Sequence, residues 1–284
     1  MYPARFDYDV AETLEEALET LARDGDEVKV LAGGQSLIPL MRLRFAAPAK
    51  LLDVNRIAGL DAIEQNGGLR IGALVRHKAC ERSEALRGRW GVLGDAARVI
   101  SDPIVRNLGT VGGSLAHADP AGDWGSVMLA TRAELVARSA AGERAIPIDE
   151  FFQAPFTTAL RPDELLTEVR LPDPGARATG TYLKLERKVG DFATGAVAAH
   201  VSFADGTVRQ AGIGLTAVGP TNLRAAAAEE ALVGRPLDDE AIAEASRLAA
   251  AAADPIADHR GSVEFKRDVV RVLVARALRN AAAA

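Results

Sequence analysis

Thr110-Val111-Gly112-Gly113-Ser114-Leu115-Ala116-His117-Ala118-Asp119-Pro120-Ala121-Gly122-Asp123 sets a tight Gly-Gly between two hydroxyl side chains and follows it with two carboxylates. A glycine pair lets backbone approach a ligand closely, because no Cβ intervenes. Successive N–H groups in such a turn form an anion nest that needs no lysine. Thr110 and Ser114 add hydroxyl donors to the same oxygens. Asp119 and Asp123 cannot face a phosphate and suit sugar hydroxyls or backbone donors further along an extended ligand. The plainer alternative is a glycine turn followed by two helix-capping aspartates.

A second loop of the same kind lies upstream. Val28-Lys29-Val30-Leu31-Ala32 is apolar enough for a short strand and runs into Gly33-Gly34-Gln35-Ser36-Leu37. Two Gly-Gly-x-hydroxyl loops, each behind an apolar segment, suit a pyrophosphate gripped from both sides. Neither is a P-loop, since no Gly-Lys-Ser/Thr follows. Neither is a Rossmann fingerprint, since the third glycine and the distant acidic residue are missing. The pattern points to a dinucleotide on a different fold.

Composition narrows the class. The 284 residues suffice for two domains or one large one. A 48% hydrophobic and 26% charged chain is ordinary for a globular protein. A net charge of -5 with no basic, aromatic-interleaved run speaks against a nucleic-acid surface. No apolar run approaches the ~20 residues of a membrane span. Met1 to Glu12 lacks the basic and apolar regions of a signal peptide, so a cytoplasmic location is expected. The single cysteine, Cys80, excludes an internal disulfide, and an iron–sulfur cluster needs about four thiolates. His77, His117, His200 and His259 are scattered without ligand spacing, so no metal site is expected.

Periodicity supplies the elements. Residues 12–23 carry apolar positions at helical spacing. Strands are expected at 28–32 and 51–54, which closes a lobe near residue 57. Ile63 to Leu74 alternates around Asn66-Gly67-Gly68 as a hairpin. Helices are expected at 76–88, 90–100 and from Trp124 to Ala130, and strands at 133–138 and 164–171. Pro172, Pro174 and Gly175 mark a domain boundary. Beyond it come a strand from Thr181, a hairpin of 197–203 and 208–218 about Asp205-Gly206, and helices at 222–232, 239–252 and 261–280. Gly212-Ile213-Gly214 lies inside a strand pattern and reads as a strand packed closely on a neighbour.

The chain resembles the FAD-binding medium subunit of the molybdenum hydroxylases, the family of carbon monoxide dehydrogenase and of the flavin domain of xanthine dehydrogenase. The residues that carry the resemblance are Ala32-Gly33-Gly34-Gln35-Ser36, Asn107 to Pro120, Lys184 to Ala193 and Arg260-Gly261-Ser262-Val263-Glu264-Phe265, in order along the whole chain. The resemblance implies an α+β fold. A two-lobed FAD-binding domain of the vanillyl-alcohol-oxidase (PCMH) type would span 1–175, with lobes of about 1–57 and 58–175. A small C-terminal domain of a three-stranded sheet plus helices, like that of carbon monoxide dehydrogenase flavoproteins, would span 176–284.

It also implies the site. Leu31, Ala32, Gly33, Gly34, Gln35, Ser36 and Leu37, with Gly109, Thr110, Val111, Gly112, Gly113, Ser114, Ala118 and Asp119, would bind FAD. The first loop and Thr110 to Ser114 would hold its pyrophosphate. Asp123 would bond ribityl or ribose hydroxyls, Ile100 would pack on the isoalloxazine, and Leu166 would meet the ring through its backbone. Lys184 falls near the flavin, where a cation favours charge developing on reduction; a solvated strand residue is the alternative. Asp191 and Phe192 would approach the flavin's open side, unless Phe192 is a core aromatic. No residue is expected to act catalytically apart from the flavin. FAD would be non-covalent, since the tethering histidine or cysteine of some relatives is missing. The implied partners are a small [2Fe–2S] subunit and a large molybdopterin subunit in a dimer of heterotrimers. The implied role is passing electrons from the clusters to an external acceptor. A stand-alone FAD oxidase or reductase and a non-redox nucleotide-binding scaffold are the competing readings.

Overall fold

A computed structural model describes residues 2–283. Strand β1 (Asp7–Val10), helix α1 (Leu14–Asp24), β2 (Val28–Leu31), α2 (Leu37–Leu43) and β3 (Lys50–Asp53) build the first lobe. Its three strands are parallel in the order β1-β3-β2. Thr13 caps α1 by accepting from the Glu16 N–H. Ala17, Leu18 and Leu21 then bury one stripe of the helix against Leu52 and Val54. Because β2 and β3 run parallel, both release their C-terminal ends at the same edge, which is where the first glycine loop emerges.

The second lobe is an antiparallel sheet with helices over one face. It comprises β4 (Ile63–Asn66), β5 (Gly68–Gly72), α3 (His77–Arg82), α4 (Gly91–Val99), α5 (Pro103–Leu108), α6 (Val111–His117) and α7 (Asp123–Thr131). After these come β6 (Glu134–Ser139), β7 (Gly142–Pro147), α8 (Ile148–Phe151), the short pair β8 (Phe152–Ala154) and β9 (Thr157–Thr158), and β10 (Leu165–Leu171). The sheet order is β4-β5-β10-β6-β7. The helix expected over 76–88 stops at Arg82: Ser83 is extended, and a 3-10 turn occupies Glu84–Leu86.

The third unit holds β11 (Ala178–Leu185), β12 (Gly195–Ala204), β13 (Thr207–Thr216), β14 (Leu223–Arg224), α9 (Ala226–Glu230), α10 (Asp239–Ala252) and α11 (Val263–Ala282). Three long antiparallel strands match the expectation, and a two-residue edge strand, β14, joins them where a helix from 222 was expected. Asn222 is the reason. Its amide donates to Gly122 O (3.1 Å) and to Thr216 Oγ1 (3.1 Å), which pulls the segment out along the sheet edge.

Strand β12 is buried on both faces. Val197, Ala199 and Val201 face a core with Ala245, Ala249, Val270 and Val274 of α10 and α11, while Ala196 and Ala198 join the core of the second lobe. All nine residues of α7 are buried, as expected of a helix enclosed between layers. It lies directly on β13, since a Cβ on Gly212 or Gly214 would run into the backbone of Ala130 or Ser126. The seam between the second lobe and the third unit is therefore a continuous core. No described helix is long and apolar enough to cross a membrane.

Candidate dinucleotide site

The first loop leaves β2 at Leu31 and enters α2 at Leu37. Its carbonyls are satisfied: Ala32 O accepts from Asn55 Nδ2 (2.8 Å), Gly33 O from Gln35 Nε2 (3.0 Å) and Gly34 O from the Ile38 N–H (3.0 Å). Among the described residues, the N–H groups of Gly33, Gly34, Gln35 and Ser36 have no acceptor. Gly34 takes φ +71°, which only a residue without Cβ adopts freely. Four consecutive donors beside filled acceptors make a strongly electropositive patch of backbone. An apolar hollow lined by Tyr8, Leu31, Ile38 and Met41 adjoins it.

The second loop differs from its expected form. Gly112-Gly113 is the first turn of α6, capped by Thr110, whose Oγ1 accepts from the Gly113 N–H (3.1 Å). The other N–H groups of that turn are also engaged. Val111 donates to Val75 O (3.0 Å), Gly112 to Ala73 O (2.9 Å) and Ser114 to Thr110 O (3.0 Å). Gly112 is required by packing rather than by φ, because a Cβ there would meet Ala73 at 2.5 Å. This segment therefore offers the hydroxyls of Thr110 and Ser114, not a free row of N–H groups.

The two segments touch. A Cβ on Gly33 would come within 2.5 Å of Leu108 O and 2.7 Å of Gly109 Cα, and one on Gly113 within 3.7 Å of Ala32 Cβ. Two residues that sequence reasoning missed clamp them together. Asn55 donates to Ala32 O and accepts from Arg76 Nη2 (2.6 Å), and Arg76 Nη1 donates to Leu108 O. The available signal was positional: Asn55 follows β3 at the sheet edge that also releases the first loop. Behind Gly109, Trp124 Nε1 donates to His77 Nδ1 (3.0 Å). That bond leaves the His77 proton on Nε2. Burial, followed by the nearby Arg106 and Arg76, pushes the His77 pKa down to about 4.

Asp119 and Asp123 part company. Ala118, at φ +52°, ends α6, and Asp119 Oδ1 accepts from the Ala121 N–H (2.9 Å) in a local turn. Asp123 opens α7 and is buried at the seam. Its Oδ1 accepts from Tyr182 Oη (2.6 Å) and its Oδ2 from Lys184 Nζ (3.2 Å). Burial pushes the Asp123 carboxyl up, and Lys184 and Tyr182 oppose that shift. The Lys184 side chain is 3% exposed, which sets aside the solvated-strand alternative. Its ammonium also donates to Val99 O (3.1 Å) and lies 3.6 Å from Glu186 Oε2.

Ile100, buried at the end of α4, follows Val99 directly. Arg106 Nη1 holds the carbonyls of Ile100 (3.1 Å) and Ser101 (3.0 Å), and Ser101 sits at φ +47°. Across the seam, the backbone of Gly190 packs on Ser101 and Asp102. Asp191 forms a two-point pair with Arg260 (3.0 and 3.1 Å), which holds its carboxyl well below the usual carboxylate range. Phe192 beside it is 52% exposed and so is not a core aromatic. Leu166 is buried on β10 next to a bulge, and the carbonyl of the following Thr167 accepts from Ala73 N–H (2.8 Å), the residue that also receives Gly112. The predicted residues thus gather into two groups. Leu31–Leu37 and Gly109–Ser114 lie at the junction of the lobes, and Ile100, Asp123 and Lys184 lie at the seam.

Two lobes meeting at a row of unsatisfied donors, closed on the far side by a third unit, define a protein that binds a phosphate-bearing cofactor. Residues 4–174 match the FAD binding domain in molybdopterin dehydrogenase, and residues 180–281 match the CO dehydrogenase flavoprotein C-terminal domain. The chain belongs to the FAD-binding medium subunits of the molybdenum hydroxylases; it is an oxidoreductase subunit, and FAD is its cofactor. It is 39% identical to the carbon monoxide dehydrogenase medium chain of Hydrogenophaga pseudoflava, over 98% of this chain and 97% of the relative. It is 38% identical to the 6-hydroxypseudooxynicotine dehydrogenase complex subunit alpha of Paenarthrobacter nicotinovorans, over 99% and 96%. The solved carbon monoxide dehydrogenase of Hydrogenophaga pseudoflava, a form lacking the Mo-pyranopterin moiety, superposes with a TM-score of 0.96 at 40% identity, covering 100% of this chain and 99% of that one.

Proposed function

We propose that this chain is the electron-transfer subunit of a molybdenum hydroxylase. In this reading, non-covalent FAD stands between a small [2Fe–2S] subunit and an external acceptor, and a large molybdopterin subunit oxidises the substrate. The carrying observation is the row of free N–H groups at Gly33–Ser36, set against the hydroxyls of Thr110 and Ser114. A pyrophosphate satisfies those donors without any lysine. When bound, the isoalloxazine supplies the redox chemistry; this chain's residues bind, orient and tune it. Asn55 and Arg76 hold the two loops in register, Ile100 packs on the ring, Leu166 meets it through its backbone, Asp123 bonds the ribityl or ribose hydroxyls, and Lys184 lies near the ring as a cation. Asp191 and Phe192 approach its open side.

The FAD-binding domain covers 1–175 in this reading, with lobes of about 1–57 and 58–175, and the C-terminal domain covers 176–284. The complex is a dimer of heterotrimers in the cytoplasm. Its substrate is chosen elsewhere. Relatives named for carbon monoxide and for 6-hydroxypseudooxynicotine lie at nearly equal identity, 39% and 38%, as expected if substrate never touches this chain.

Absorption spectra of the chain alone and co-expressed with its cysteine-rich and molybdopterin-binding neighbours test the reading. It expects a flavin spectrum on the complex, with FAD released by acid. A colourless complex defeats it, and a lone yellow chain that turns over a donor unaided replaces it with a free-standing oxidase.

A further inference from the structure

The seam holds one ammonium between two carboxylates. Lys184 Nζ donates to Val99 O (3.1 Å) and Asp123 Oδ2 (3.2 Å), which leaves its third proton without a hydrogen-bond partner among the described residues. Glu186 Oε2 lies 3.6 Å from that nitrogen and is itself a buried oxygen with no hydrogen-bond partner. An unassigned donor and an unassigned acceptor face each other almost at bonding distance, and a small rotation joins them. The Glu186 side chain is 18% exposed, whereas those of Lys184 and Asp123 are 3% and 7% exposed. Glu186 is the member of the cluster in touch with water.

The other groups around the cluster are few. Tyr182, on the same strand, is committed to Asp123. Helix α7 contributes Asp123, and α4 contributes the Val99 carbonyl rather than a charge. The Arg187–Asp191–Arg260 cluster begins one residue beyond Glu186 and is internally paired. Two carboxylates around one buried ammonium favour keeping a proton in the group. Burial of Asp123, which raises its affinity for protons, acts in the same sense.

A metal cluster delivers electrons without protons. Two-electron reduction of an isoalloxazine takes up two electrons and at least one proton, so the flavin chain must supply protons from water. We infer that Glu186 and Lys184 form the proton entry to the flavin: Lys184 gives a proton from Nζ to a ring nitrogen, and Glu186 returns one to Lys184 from solvent. For each proton, an N–H bond at Lys184 breaks and one at the ring forms. The Glu186 O–H then breaks to restore the ammonium, and water reprotonates Glu186. The electrons come from the iron–sulfur partner. This inference rests on the proposed placement of the ring beside Ile100 and Lys184. Glu186 is a positioning and relay residue, not a ligand of the ring.

The test uses the FAD-loaded full chain, reduced in a stopped-flow instrument by reduced methyl viologen, a one-electron donor that releases no proton on oxidation, with a pH indicator present. In the wild type, proton uptake keeps pace with bleaching of the flavin's visible band. In Glu186→Gln, which keeps shape but cannot pass a proton, uptake lags by at least about 10-fold, and added imidazole restores it. Glu186→Asp keeps a carboxylate and recovers part of the rate. Uptake in Glu186→Gln at the wild-type rate and with the wild-type pH dependence overturns the relay. Loss of FAD from both variants makes Glu186 a binding residue and also overturns it. A colourless wild type fails the flavin reading itself and is thereby distinguished from failure of the relay alone.

Discussion

Replacing Gly33 with alanine isolates the contact between the two glycine segments. The added methyl would sit 2.5 Å from Leu108 O and 2.7 Å from Gly109 Cα, both backbone atoms that cannot swing aside. Reaching an ordinary contact of about 3.4 Å moves the segments apart by roughly 0.9 Å, which also strains the Asn55–Arg76 clamp. Overpacking of this size costs about 1–3 kcal/mol of stability, or a fall in Tm of roughly 2–10 °C for a chain of this length. The free N–H row at Gly33–Ser36 is displaced relative to the Thr110 hydroxyl, and the same strain weakens FAD binding by about 10–100-fold. Calorimetric titration of apoprotein with FAD, alongside thermal unfolding, reads both effects. Gly25→Ala serves as the control. Its φ of +52° carries a backbone cost, but nothing lies within 4 Å of the new methyl, so FAD affinity stays at the wild-type value. A Gly33→Ala protein with wild-type affinity and unchanged Tm would refute the argument that these loops grip one ligand in contact with each other.

Removing Asp123 by Asp123→Ala leaves the Lys184 ammonium at the seam with one carbonyl and the Glu186 carboxylate 3.6 Å away, and leaves Tyr182 Oη without its acceptor; denaturant unfolding is expected to show a loss of about 3–5 kcal/mol. His77 titrates near 4 when folded and near 6.5 when unfolded, so its contribution is complete above pH 6.5 and is lost as the pH falls toward 4. That window amounts to roughly 3 kcal/mol, and His77→Gln is expected to flatten the fall of Tm with pH and to abolish the matching change in Trp124 fluorescence. The Asp191–Arg260 pair has the same sign: its carboxyl is depressed, so the tie is complete above the ordinary aspartate range and breaks only well below it. Exchange of the Asp191 and Phe192 amides, which donate to Lys188 O and Asp191 Oδ1, is expected to stay protected through pH 4 in the wild type and to speed up at neutral pH in Arg260→Ala.

Much of this architecture was legible because its signals are local. The apolar run before Gly33, the Asp205-Gly206 hairpin and the stripe of Val269, Val270, Leu273, Val274 and Ala277 each declare an element within a few residues. The helical state of Gly112-Gly113 was not legible, since glycine lowers helix propensity. The helix exists because Thr110 caps it and because Ala73 and Val75 receive its N–H groups from another part of the chain. Asn55 and Arg76 were invisible for a similar reason. Nothing in their neighbourhoods announces that two loops more than 70 residues apart, around Gly33 and Leu108, converge on them. Lys184 and Tyr182 alternate with strand neighbours like any polar face. Only the seam, where α4 covers β11 and Asp123 at the start of α7 reaches Tyr182 and Lys184, turns that face into a buried charged cluster.

The central claim is that the Gly33–Ser36 backbone receives the pyrophosphate, and amide chemical shifts test it most directly. Titrating isotope-labelled apoprotein with FAD is expected to move the Gly33, Gly34, Gln35 and Ser36 amide protons strongly downfield as their vacant donors are filled. The Val111, Gly112 and Gly113 amides, already bonded within the chain, are expected to shift far less. Saturation with FAD that left the first four unmoved while the second set shifted would contradict the account.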